Sequence, residues 1–162
     1  MAVHPRLHAM PLGIERHAHI TPLPERERDI QILVNFGTNR RGRVDAFHYW
    51  ARRPDATVLP FPSDQETYRQ AVARSRFVVS PPGHGWDCYR TYETLALGAL
   101  PIVLRQEPAS AVLSGLPAVI VDRWEDATPE LLEQAWAMRT LGPWPTLTLA
   151  YWTERITEAA MH

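Results

Sequence analysis

The side chains best able to act on a ligand are concentrated in one stretch, "SPPGHGWDCYRTYE", positions 80–93. Gly83 and Gly85 let a ligand approach the backbone closely, and His84 lies between them. A helical pattern restarts at Asp87, which is suited to cap it, and the free amides of a helix start favour an anion. Arg90 falls in that first turn, at the positive end of the helix dipole, where a cation is disfavoured by roughly 0.3–1 kcal/mol. A bound anion would remove the conflict. Glu93 follows three residues later, and the spacing supports two readings equally. One is an ordinary Arg–Glu pair contributing about 0.2–0.5 kcal/mol; the other sets Arg90 on a phosphate and Glu93 on ribose hydroxyls. The glycines match neither a Walker loop nor GxGxxG, and alone they indicate a tight turn.

A second cluster, "NFGTNRRGR" at 35–43, follows an apolar run and suits phosphate or sugar contacts. Thr38 and Arg40 are its candidate ligand-binding residues; Arg41 and Arg43 read as a solvated helix start. Trp86 could stack on a base or a sugar. Cys88 falls on an apolar arc with Tyr89, Tyr92, Leu95 and Ala96, leaving Arg90, Thr91, Glu93 and Thr94 on or beside the other arc. His17 and His19 read as surface residues of a proline-rich lead-in, and His48 as part of a packed face. No metal site is expected, and no residue is singled out as a catalytic base.

Short apolar runs that could carry these loops recur at 30–36, 56–61, 76–80, 100–105 and 118–122. Helical patterns separate them at 41–53, 63–75, 87–98 and, as a short helix or turn, 108–115; two more follow near 128–140 and 147–160. Ser63 and Glu66 stand in capping-box spacing, and Thr128 precedes Pro129 as a cap. The alternation predicts an α/β fold, a single Rossmann-like doubly wound parallel sheet of about five strands. Residues 1–29 read as an extended lead-in and 30–162 as one Rossmann-like domain. Ligands of such sheets bind beyond the carboxyl ends of the strands, where both clusters fall.

Seventeen basic against eighteen acidic side chains give a net charge of -1, which argues against nucleic acid or an acidic membrane surface as partner. All the basic side chains are arginine, a usage that codon composition explains more readily than phosphate recognition. With one cysteine there is no internal disulfide. No apolar run is long enough to span a bilayer and no signal peptide is evident, so a cytoplasmic location is expected.

The segment "GHGWDCYRTYETLALGALPIV" resembles the donor-binding signature of exostosin-like glycosyltransferases, a GT-B-fold group, over about twenty residues. A looser resemblance covers positions 10–140, including "MPLGI" and "LVNFGTNRRGR". The resemblance implies the C-terminal, donor-binding half of such an enzyme, with residues 1–29 akin to the interdomain linker. It implies that Arg90 binds the pyrophosphate and Glu93 the ribose of a nucleotide-sugar, while His84, Gly85 and Asp87 shape the phosphate loop. A nucleoside-diphosphate sugar is then the substrate and no separate cofactor is needed. The acceptor domain would be missing from a fragment, separately encoded, or absent from a free nucleotide-sugar-binding module. The alternative is a non-catalytic α/β nucleotide-binding or interaction module.

Overall fold

The computed structural model describes residue 11 and residues 27–106, 109–140, 142 and 144–161. Most of the lead-in, His17 and His19 included, lies outside the described residues. Five strands form one sheet: β1 (Ile30–Val34), β2 (Ala56–Val58), β3 (Ser75–Val79), β4 (Leu100–Leu104) and β5 (Val119–Val121). Their spatial order is β2-β1-β3-β4-β5, and every neighbouring pair is parallel. Val79 stands opposite Ile102 and Ile102 opposite Val119, so the apolar runs meet in register.

Alternation along the strands decides the layers. Ile32, Val34, Phe77, Val79, Ile102 and Val121 cover one face, packed with Ala46 and Trp50 of helix α1 (Arg41–Trp50) and Leu132 of α5 (Pro129–Ala137). Leu33 and Val78 cover the other with Val72 of α2 (Gln65–Ala73). Val103 joins that face with Tyr92 and Leu95 of α3 (Tyr89–Ala96) and Leu113, just past α4 (Ala109–Val112). Burial on both faces is why these strands read as unbroken apolar runs. The last helix, α6 (Leu149–Ala160), has no buried residue.

The expected doubly wound sheet is therefore present, with shorter elements than the sequence patterns span. Two caps differ. Helix α2 starts one residue later than expected: Asp64 Oδ1 accepts from Thr67 N at 2.9 Å, while Ser63 Oγ accepts from Asn35 Nδ2 at 3.2 Å. The cap of α3 is Cys88, not Asp87, because Cys88 is still extended at φ -148°. Thr128 caps α5 as expected, accepting from Leu131 N.

At the amino end of the sheet, Arg28 donates to Ser75 O at 2.5 Å and Leu97 O at 2.9 Å. Its guanidinium fills the space where a Cβ at Gly98 would come within 2.7 Å of Nη2. Gly98, at φ +76°, thus ends α3 with a backbone conformation that few other residues adopt.

The carboxyl end is organised by a topological switch. Strands β1 and β3 are neighbours, yet the chain leaving β1 enters α1 on one face and the chain leaving β3 enters α3 on the other. Diverging loops leave a crevice at such a point, the usual ligand site of an open parallel sheet.

Candidate functional site at the switch point

Arg43 spans the crevice. From the first turn of α1 its Nε donates to Pro82 O at 2.7 Å, with longer contacts of 3.5 Å from the other nitrogens to Gly37 O and Pro81 O. It therefore ties the loop after β1 to the loop after β3. A Cβ on Gly83 would stand 3.3 Å from Arg43 Nη2, so the glycine leaves room for the guanidinium. Gly83 N donates to Gly85 O at 2.9 Å, which folds the loop on itself and commits that amide. Arg43 is half-buried rather than solvated, contrary to the reading of its position as an open helix start. Sequence spacing hid this, because its carbonyl partners lie 38 and 39 residues away. The one available signal was topological: adjacent β1 and β3 bring their loops within reach of a long side chain on α1.

The floor of the loop is polar and closed. Buried Ser80, just past β3, lies 2.9 Å from Thr91 Oγ1 and 3.1 Å from Cys88 Sγ through its hydroxyl. Thr91 and Thr94 are buried and Tyr89 is exposed, which corrects the arc drawn for α3. Pairing with the Ser80 hydroxyl turns Thr91 inward. Asp87 does not cap the helix; its Oδ2 accepts from the Tyr92 hydroxyl at 2.8 Å, bracing the loop against α3. Asn35 is also structural, donating to Leu59 O and Pro60 O. His48 is exposed rather than packed away.

Beside the loop lies a cavity of about 490 Å³, open on one side. Arg40 and Arg43 line it from α1, His84 and Trp86 from the loop, Leu104 and Gln106 from the end of β4. Gly83 and Gly85 are part of its wall. Leu104 and Gln106 carried no motif and were not among the expected site residues. Thr38 is exposed on the loop after β1 and is not part of the cavity wall.

Arg90 and Glu93 stand to one side. The Arg90 guanidinium lies 6.0 Å from the Phe36 ring centroid, and its Nε is buried without a hydrogen-bond partner. Glu93 is half-buried on α3. Tyr68 of α2 feels both: burial pushes its phenol well above the ordinary range, Arg90 draws it down and Glu93 pushes it further up.

The electrostatics of the crevice are lopsided. Burial, then the nearby charges of Arg90 and Arg40, hold the Arg43 guanidinium below the usual arginine range, partly offset by Cys88. Neither α1 nor α3 has a side-chain cap or an acidic residue in its first turn. Helices α2 and α5 have both, and α6 has the Thr148 cap. Two uncapped helix starts and three arginines thus concentrate positive potential at one place. Among the described residues, no group of three or more His, Cys, Asp or Glu could hold a metal ion, and no helix is long and apolar enough to cross a membrane.

A family model described as the RXYLT1 C-terminal domain matches residues 43–141, well over half of the chain. The matched span runs from the first turn of α1 past α5 and so includes Arg43, the whole loop after β3 and α3. No curated protein matches the chain.

Proposed function

The chain belongs to the RXYLT1 C-terminal domain family, a glycosyltransferase-type family, and on that premise we propose that it binds a nucleoside-diphosphate sugar at the switch-point crevice. In this reading it is the donor half of a GT-B-type glycosyltransferase. The observation that carries it is the gathering of Arg40, Arg43 and Arg90 at two helix starts that no side chain caps. A diphosphate is the ligand that answers this arrangement, since it brings two negative groups to a site where cations repel one another. Arg90 binds the pyrophosphate, and Gly83, His84, Gly85 and Asp87 give the loop its shape around it. Glu93 accepts from the ribose hydroxyls, while Thr38 and Arg40 contact the ligand from the loop after β1. Sugar transfer itself requires an acceptor domain, and the catalytic base is not among the residues assigned here.

Calorimetric titration with UDP and GDP tests the donor reading. Arg90→Ala should weaken binding of whichever nucleotide binds by about 10- to 100-fold, as expected for hydrogen bonds to a charged group. Equal affinity of both proteins would reject the assignment. Glu93→Gln should weaken nucleotide binding as well, but not binding of the corresponding dideoxyribose analogue. Equal losses with both ligands would make Glu93 a structural residue.

A further inference from the structure

We infer that the cavity beside the loop is the glycosyl subsite and that Trp86 is the surface on which the sugar ring stacks, an inference that rests on the donor reading above. A nucleoside-diphosphate sugar has a fixed linear order: base, ribose, two phosphates, sugar. Glu93, the ribose candidate, is half-buried on α3 and is not part of the cavity wall. The cavity wall runs instead from the start of α1 past the loop to the end of β4. With the diphosphate over the loop between them, the ribose end points toward Glu93 and the sugar end enters the cavity.

The lining suits that occupant. Trp86 is 60% exposed, an unusual setting for the largest apolar side chain, and it offers a flat face to the C–H face of a pyranose. Gln106, His84 and Arg40 supply donors and acceptors for ring hydroxyls from the same wall. About 490 Å³ lies within the usual range of a ligand pocket and is open enough to admit a hexose ring. Leu104 adds apolar contact at the cavity wall.

The test compares wild type with Trp86→Ala and Trp86→Phe in titrations of UDP, UDP-glucose, GDP and GDP-mannose. With the nucleotide that binds, Trp86→Ala should weaken the nucleotide-sugar by about tenfold while leaving the parent nucleotide within about twofold. Trp86→Phe should restore most of the loss, and thermal unfolding should show that both variants keep the wild-type stability. Equal loss for nucleotide and nucleotide-sugar would mean that the base stacks on Trp86, which overturns the subsite. No loss for either overturns it as well. If wild type binds none of the four ligands, the donor reading itself fails, an outcome distinct from nucleotide binding that ignores Trp86.

Discussion

At the amino end of the sheet Arg53 pairs with Asp55 and Arg74 with Asp29, and Arg76 pairs with Glu133 across to α5. At the carboxyl end of β1 and β3, Arg40 and Arg90 each lie near enough to repel Arg43, and none of the three belongs to an ion pair among the described residues. The helix starts follow the same division. Those away from the crevice are capped by Asp64, Thr128 and Thr148, and the two beside it are not. The difference separates ion-paired arginines from unpaired ones. The first group has its charge answered within the chain. In the second, Arg43 meets carbonyl oxygens, Arg90 lies near the Phe36 ring and Arg40 is exposed, which leaves their charge for something else.

The largest expected effect comes from answering that charge. A nucleoside diphosphate at about 100 times its dissociation constant should stabilise the fold by roughly 2.7 kcal/mol. Thermal unfolding with and without UDP or GDP measures this, and no shift with either would break the contrast between the two ends. Next comes Arg53→Ala, at the paired end. Arg53 donates to Asp55 at 2.6 and 2.9 Å and to Ala127 O at 2.6 Å, and lies 4.9 Å from the Trp50 ring. Losing these should cost about 2 kcal/mol, or roughly 4–8 °C in Tm, without changing nucleotide affinity. A variant of unchanged stability would show that pairing there is incidental.

Arg90→Met should do the reverse at smaller scale. Removing a cation from a helix start should leave stability unchanged or raise it by up to about 1 kcal/mol in denaturant unfolding, while nucleotide binding falls. A destabilisation larger than that would class Arg90 with the structural arginines. Acid offers the mildest test. Hydrogen bonds from Arg74, Arg53 and Arg76 hold Asp29, Asp55 and Glu133 below their ordinary values of 3.8, 3.8 and 4.5. Folded-state values that are lowered give stability that is fully present above the ordinary values and is lost as pH falls through the folded ones. Denaturant unfolding should therefore weaken below about pH 4, and less so in Arg53→Ala.

The sheet was legible because each of its central strands is buried on both faces, so "IQILV" and "RFVV" carry the signal themselves. The loop after β3 was legible for the same local reason: its glycines, Arg90 and Glu93 stand within one short segment. What escaped depends on contacts between distant segments. Arg43 could not be told from Arg40 or Arg41 without knowing that the proline carbonyls after β3 arrive beside α1. The α3 cap moved from Asp87 to Cys88 because Asp87 meets the Tyr92 hydroxyl, a contact set by how the loop closes. Thr91 fell on the outer arc by helical spacing and is buried because Ser80, just past β3, offers it a hydroxyl.

Arg43 has a further consequence through the two layers it joins. It is rooted in α1, on one side of the sheet, and grips the loop that leads into α3 on the other. Any anion that draws its guanidinium into the crevice must loosen that grip or pull both layers with it. The same side chain would then report occupancy to opposite sides of the molecule, and slower amide hydrogen exchange should appear together in the first turns of α1 and α3.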